Sequence, residues 1–243
     1  MKKIYAVGLG PGDPDFLIPK AREAILSSDV IAGFTVYIEL ISDLVQGKEI
    51  IKTGMKSETE RCEAAIAEAL KGKQVCVVSS GDSGIYGMAA LLYELAEKHE
   101  GIAIEVIPGI TAAVSAAAIL GSPLTNDFAV ISLSDQLTPW DVIEKRLDLS
   151  SMADMVQCLY NPQSKKRSGY LEKACSIALR HKPPETNCGY VRNAFRGEDG
   201  ESRVCTLAEL AKAQADMFTT VIIGNSATEL INGKLVTVRG YKL

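Results

Sequence analysis

Short apolar runs alternate with amphipathic stretches along most of this 243-residue chain. The runs at 3–8, 29–33, 48–52, 74–79 and 103–107 have the length and β-branched content of buried strands. Between them, 17–27, 57–71 and 85–98 carry apolar residues at helical spacing. In 85–98, Met88, Leu91, Leu92 and Leu95 form the apolar stripe, and Glu94, Glu97 and Lys98 oppose it. The segment 120–127 gathers turn formers and marks the predicted boundary between two domains, 1–122 and 123–243. Beyond it, strands are predicted at 128–132, 154–160, 187–192 and 219–224, and helices at 139–147, 168–181 and 206–214. Asn232-Gly233 lies between the runs Thr228–Ile231 and Lys234–Val238 and predicts a hairpin, so the second sheet should be mixed or antiparallel. The fold class expected is α/β, as two α/β lobes with a ligand cleft between them.

Composition narrows the function classes. The chain is 47% hydrophobic and 23% charged, as ordinary globular domains are. Its formal net charge of −4 argues against a nucleic-acid binder, which carries a basic domain. Cys62, Cys76, Cys158, Cys175, Cys188 and Cys205 show no metal-knuckle spacing, and His99 and His181 are the two histidines. That pattern argues against a zinc site. Met1-Lys2-Lys3 leads straight into the first strand without a signal peptide, so a cytoplasmic protein with reduced thiols is expected. The longest small-apolar run, Ile110 to Leu120, is too short to span a bilayer.

The candidate chemistry lies in three loops that follow predicted strands. Gly8-Leu9-Gly10-Pro11-Gly12-Asp13-Pro14-Asp15-Phe16-Leu17 is glycine-rich enough for close backbone approach to a ligand. It fails the dinucleotide fingerprint, because Asp13 stands where the third glycine belongs and Pro14 lacks the amide of a phosphate cradle. It suits a nucleoside-containing ligand without a pyrophosphate, or else a tight strand-to-helix turn with no ligand. The second loop, Ser79 to Gly87, and the third, Ile107 to Ala113, are each expected to open a helix whose first amides favour an anionic group. Asp82 reads either as a partner for a ribose or an ammonium, or as a helix N-cap. Ala112, Ala113, Ala116 and Ala117 leave room either for a flat ligand or for close helix packing.

The stretches GLGPGDPDFL, SSGDSGIYGMA, PGITAA, GSPLTNDFAVISLSDQLTPWDVIEKR, LYNPQSKKR, VRNAFRGE, TTVIIGNS and TVRGY run in order over essentially the whole chain. Together they resemble the tetrapyrrole (corrin/porphyrin) methyltransferases. IKTGM (51–55), SLSDQLTPW (132–140) and LYNP resemble the precorrin-3B C(17)-methyltransferase branch of cobalamin synthesis in particular. The resemblance implies a two-lobed homodimer that takes a tetrapyrrole substrate and S-adenosyl-L-methionine as methyl donor; with the charge and hydropathy above, no nucleic-acid or membrane partner is expected. Carried over by position, Pro11, Ser80, Gly81, Asp82, Ile85, Thr111 and Ala112 would contact the donor, with Asn161 and Ala194 from the second half. Relatives often have Gly-Gly-Asp where this chain has Ser80-Gly81-Asp82, and Met where it has Asn161.

The macrocycle's carboxylates call for cations. Lys52, Lys56 and Arg61, Arg192 and Arg196, and the run Lys165-Lys166-Arg167 fit that need, although each alone also reads as a solvated surface charge. Arg192, near the end of a predicted buried strand, is the first choice. The branch also implies a ring contraction, which needs acid-base help. Ser132, Ser134 and Asp135 are the candidates, Asp135 first; Asp135 equally reads as a turn or cap residue ahead of Pro139. A sister methyltransferase acting at another ring carbon, and a non-catalytic ligand-sensing α/β module, are the alternative readings. Whether the macrocycle carries cobalt is left open by the residues.

Overall fold

The computed structural model describes residues 2–164, 168–197 and 200–241. The chain divides into two compact units. One comprises Met1–Ala112 with Phe195–Gly197, the other Ala113–Ala194 with Glu198–Leu243.

The first unit runs β1 (Lys2–Gly8), α1 (Pro19–Ser27), β2 (Val30–Phe34), α2 (Thr35–Glu39), β3 (Glu49–Thr53), α3 (Glu58–Leu70), β4 (Val75–Ser79), α4 (Ala89–Ala96) and β5 (Ile102–Ile107). Its five strands form one parallel sheet in the order β3-β2-β4-β1-β5. Alternate residues of each strand serve opposite faces. Ile4, Ala6, Val30, Ala32, Val75 and Val77 pack with Cys62, Ile66, Ala69 and Leu92 of α3 and α4. Val7, Ile31, Cys76 and Val78 pack on the other side with Ala21, Ile25 and Ile38. With both faces covered, β4 is buried along its whole length, and its first four residues are apolar, as a central parallel strand requires. This order sets β1 between β4 and β5, so the loops leaving the carboxyl ends of these strands are neighbours.

The helix expected at 85–98 starts only at Ala89. Residues 83–88 are bent because Ser83 is pinned inside the unit. Its hydroxyl donates to the Ala6 carbonyl at 2.9 Å, and its own carbonyl accepts the Ala89 amide at 3.0 Å. The short α2 gives no amphipathic signal of its own and was not expected.

The second unit runs α5 (Ala112–Leu120), which opens on the last residue of the first unit's main segment, then β6 (Gly121–Ser122), β7 (Phe128–Ser132), α6 (Trp140–Met152), β8 (Val156–Tyr160), α7 (Tyr170–Ala178), β9 (Asn187–Arg192), β10 (Glu201–Thr206), α8 (Leu207–Leu210), β11 (Thr219–Ile223), β12 (Thr228–Ile231) and β13 (Lys234–Thr237). Its main sheet, β10-β9-β11-β8-β7, is mixed: β7 and β8 are parallel and the other pairs antiparallel. β12 and β13 form the expected hairpin, with Asn232 (φ 50°) and Gly233 (φ 75°) in the left-handed conformation its turn requires. The helix expected at 206–214 shrinks to α8: Thr206 belongs to β10, and the chain turns out of the helix after Leu210. A capping box of Thr206 and Glu209 starts the turn that remains.

The alanines of α5 are packing residues. Ala113, Ala116, Ala117 and Leu120 lie against Val156, Cys158, Val191 and Ile222. A Cβ on Gly189 would stand 2.9 Å from Leu120 Cδ2, so strand and helix approach as closely as glycine permits. Among the described residues, no helix is long and apolar enough to cross a membrane.

Candidate functional site

Three glycines set the spacing of the loops after β1, β4 and β5. A Cβ on Gly8 would lie 2.6 Å from both the Gly109 nitrogen and the Gly81 carbonyl oxygen; one on Gly109 would lie 2.1 Å from that same oxygen. No side chain fits there, so the backbones themselves are in contact. The first two loops then pair: Gly10 N donates to Gly81 O at 3.0 Å, Gly81 N to Gly10 O at 2.7 Å, and Leu9 N to Ser79 O at 2.8 Å. Asp82 joins the second loop to the third. Its Oδ1 accepts the Gly84 amide at 2.8 Å and its Oδ2 the Gly109 amide at 2.9 Å. Asp82 therefore caps no helix, since α4 begins beyond the bend.

Gly81 (φ 67°) faces the start of α5. A Cβ there would lie 3.6 Å from Thr111 Cα and 3.7 Å from the Ala112 nitrogen. Pro11, Ser80, Gly81, Asp82, Thr111 and Ala112 thus belong to one interlocked loop assembly. Ile85 stands on the exposed bend that follows.

Arg196 joins the same assembly. Its Nε donates to the Pro11 carbonyl at 2.9 Å, and its Nη2 donates to the Ser80 hydroxyl. The neighbouring Phe195 carbonyl accepts the Asp13 amide at 3.0 Å, and the Phe195 ring lies 4.5 Å from that of Phe16. Phe195 holds φ 49°, a conformation a bulky residue keeps only where its surroundings enforce it. Burial pulls the Arg196 pKa below its usual value, with the nearby Tyr37 opposing; burial likewise pushes the Tyr37 hydroxyl up. The carboxylates of the macrocycle that the resemblance implies grouped Arg196 with the substrate-binding cations, and nothing local signals its bond to Pro11.

The other expected cations are scattered. Arg61 is only 4% exposed. Its Nε donates to Thr53 Oγ1 at 2.8 Å, its Nη2 to the Gly54 carbonyl at 3.2 Å, and its Nη1 to Met88 Sδ at 3.5 Å, so it fastens the end of β3 to the residue before α4. Lys52 and Lys56 are exposed. Arg192 is exposed rather than buried, and its Nε pairs with Asp216 Oδ2 at 2.7 Å. Burial opposes ionisation of Asp216, but hydrogen bonds from Arg192, Thr219 and the Phe218 amide outweigh it and hold the carboxyl below its ordinary range. Lys165, Lys166 and Arg167 lie outside the described residues.

In the second unit the carboxyl ends of the parallel pair β7 and β8 carry polar groups. Asn161 (φ 51°) donates through Nδ2 to Ser132 Oγ at 3.0 Å, and the Ser134 amide donates to the same hydroxyl oxygen at 3.2 Å. Tyr160 OH accepts the Ala113 amide at 2.7 Å. Asp135 is exposed and accepts from Tyr170 OH at 2.7 Å; the Tyr170 ring meets Trp140 edge-on at 4.7 Å. The residue flanking the start of α6 is Pro139, so Asp135 is no cap. Ala194 is partly buried against the α5 core. Sequence reasoning missed Tyr170, which opens α7 and lies thirty-five residues from Asp135.

The thiols are withdrawn from the surface. All six cysteines are free and buried. Burial pushes Cys62 and Cys205 up to about 11 and Cys158 and Cys175 up to about 12, and raises Cys76 and Cys188 as well. Among the described residues no group of three His, Cys, Asp or Glu is placed to hold a metal ion.

The family model described as Tetrapyrrole (Corrin/Porphyrin) Methylases matches residues 3–211. A Salmonella typhimurium protein named as a probable cobalt-factor III C(17)-methyltransferase is 42% identical over 99% of this chain and 100% of its own. A Priestia megaterium cobalt-factor III methyltransferase is 43% identical over 99% of this chain, which spans only 45% of that longer protein. The crystal structure of the methyltransferase CobJ superposes with a TM-score of 0.91 at 33% identity, covering 98% of this chain and 100% of that one.

Proposed function

Because this chain belongs to the tetrapyrrole (corrin/porphyrin) methylases, we propose that it methylates carbon 17 of a cobalt-factor III type macrocycle in cobalamin biosynthesis. The donor is S-adenosyl-L-methionine. The observation that carries the reading is the end-to-end match to the Salmonella C(17)-methyltransferase. The same relatives favour a cobalt-bearing substrate over a metal-free one, the metal arriving with the macrocycle. Contraction of the ring to a precorrin-4 type product is part of the proposal, as are a homodimer and a cytoplasmic location.

The loops of the first unit fit a bound nucleoside with an amino-acid tail. The face of Gly81 is a cradle that a Cβ would fill, and the loop backbones around it are locked by Asp82 and by the glycine contacts. Pro11, Ser80, Gly81, Asp82, Thr111 and Ala112 are the residues proposed to hold the donor, whose sulfonium supplies an electrophilic methyl group. The chain's part is alignment. Rigid loops that fix two reactants in line supply on the order of 7–11 kcal/mol of a barrier. Backbone carbonyls suit the task, since positive charge disperses from sulfur as the methyl group leaves and no protein nucleophile is needed. Asp135, held by Tyr170, is the proposed proton acceptor for contraction.

The test is an anaerobic incubation with methyl-labelled donor and cobalt-factor III, with metal-free precorrin-3B run in parallel, read by mass spectrometry and carbon NMR. Label at carbon 17 with the cobalt macrocycle supports the proposal. Label at another carbon assigns the chain to a sister enzyme, and preference for the metal-free ring reverses the choice of substrate. Size-exclusion chromatography with light scattering tests the dimer.

A further inference from the structure

We propose that Arg196 is a positioning residue of the methyl-donor site, and not one of the cations that receive the macrocycle. The inference rests on the donor reading of the glycine-rich loops given above.

The argument begins with what Arg196 touches. Its side chain bonds to Pro11 and to Ser80, one on the loop after β1 and one on the loop after β4. Both residues are proposed donor contacts. A guanidinium has a rigid fork of donors, so bonding through Nε and Nη2 fixes the separation of its two acceptors as well as their orientation. Pro11 lies between Gly10 (φ 71°) and Gly12 (φ 132°), in a stretch that local backbone preference leaves free to take other shapes. The fork supplies the constraint that this stretch lacks.

The surroundings point the same way. A Cβ on Gly12 would meet Arg196 Nε at 3.2 Å and Cγ at 3.3 Å, so the arginine side chain lies flat on the loop and glycine is what lets it do so. Phe195 secures the next stretch of that loop through the Asp13 amide and the Phe16 ring. The segment Phe195–Gly197 packs with the first unit although the chain on either side belongs to the second. A solvated surface cation, or one extended toward a large anionic ligand, would not be flattened on a glycine and bonded to a carbonyl. Loss of the fork should therefore loosen the donor site and leave macrocycle affinity in place.

The experiment is isothermal titration of the full-length protein with S-adenosyl-homocysteine, for wild type, Arg196→Met, Arg196→Lys, Ser80→Ala and the double variant Ser80→Ala/Arg196→Met. Arg180→Met removes a charge from an exposed ion pair with Glu144 and serves as control. Arg196→Met is expected to weaken binding by about tenfold or more, the scale of a charged hydrogen bond. Arg196→Lys keeps the charge and can satisfy only one acceptor, so it should recover part of the loss. The double variant should bind no worse than Arg196→Met alone, because the two groups act as one. Strictly additive losses in that cycle would overturn the proposal. Unchanged affinity in both Arg196 variants, with a raised KM for the macrocycle, would also overturn it and return Arg196 to the macrocycle. If wild type itself fails to bind S-adenosyl-homocysteine, the donor reading falls first, which separates the two failures.

Discussion

Asp82 Oδ2 accepts the backbone amide of Gly109 at 2.9 Å, tying the loop after β4 to the loop after β5 across twenty-seven residues of sequence. The carboxylate that looks available for a ligand is thus engaged in holding the loops that would surround one.

Removing it should act through loop order. Asp82→Ala leaves the Gly84 and Gly109 amides without their acceptor and is expected to weaken S-adenosyl-homocysteine binding by about tenfold or more. Asp82→Asn keeps one oxygen and should lie between the two. Calorimetric titration checks the order; equal affinity in all three proteins would remove Asp82 from the site.

Gly109→Ala tests the contact between the loop backbones. A methyl group 2.1 Å from the Gly81 carbonyl oxygen forces the strands' ends apart. Overpacking of this kind costs about 1–3 kcal/mol, and chemical unfolding should show it. Gly47→Ala cannot serve as a neutral reference despite its open surroundings, because φ 76° strains it by itself. Ala153→Ser, at the exposed end of α6, is the better comparison.

Arg61→Met is expected to lower stability by about 1–3 kcal/mol, since it strips a half-buried hydroxyl, a carbonyl and a thioether of one shared donor. Unfolding in urea measures this. A stability equal to wild type, with a raised KM for the macrocycle, would mean that Arg61 turns outward to meet substrate.

Asp154 supplies a pH dependence. Burial opposes its ionisation, but the Ser226 hydroxyl and amide and the Lys182 ammonium overcome that and lower its pKa. Its folded value lies below the unfolded value, so its contribution to stability is fully present above the ordinary carboxylate range. That contribution is lost as pH falls through the depressed value. Asp154→Asn should therefore be less stable than wild type at neutral pH, and the gap should close in acid. A gap that stays constant from pH 7 down to pH 3 would contradict the assignment.

The central strands β1 and β4 were legible because each is an apolar run that ends in a loop rich in glycine. The hairpin was legible from its Asn232-Gly233 turn. β10 was not, because an edge strand reading Glu-Ser-Arg-Val-Cys-Thr buries little and its pairing with β9 determines it. The loops of the site could be named from their glycines, but their side-chain roles could not. Asp82 was read among its neighbours, while its Gly109 partner lies elsewhere in the chain. Arg196 and Pro11 are separated by 185 residues, and no periodicity links them. The place of Arg192 near the end of its strand could be read, but its pairing with Asp216 could not, because the two lie 24 residues apart in the chain.

The six inaccessible thiols have a practical corollary. With every cysteine buried and its ionisation disfavoured, the folded chain presents thiol reagents and disulfide exchange with no ready partner. A thiol titration of the native protein should count no fast-reacting group, and all six should appear on unfolding.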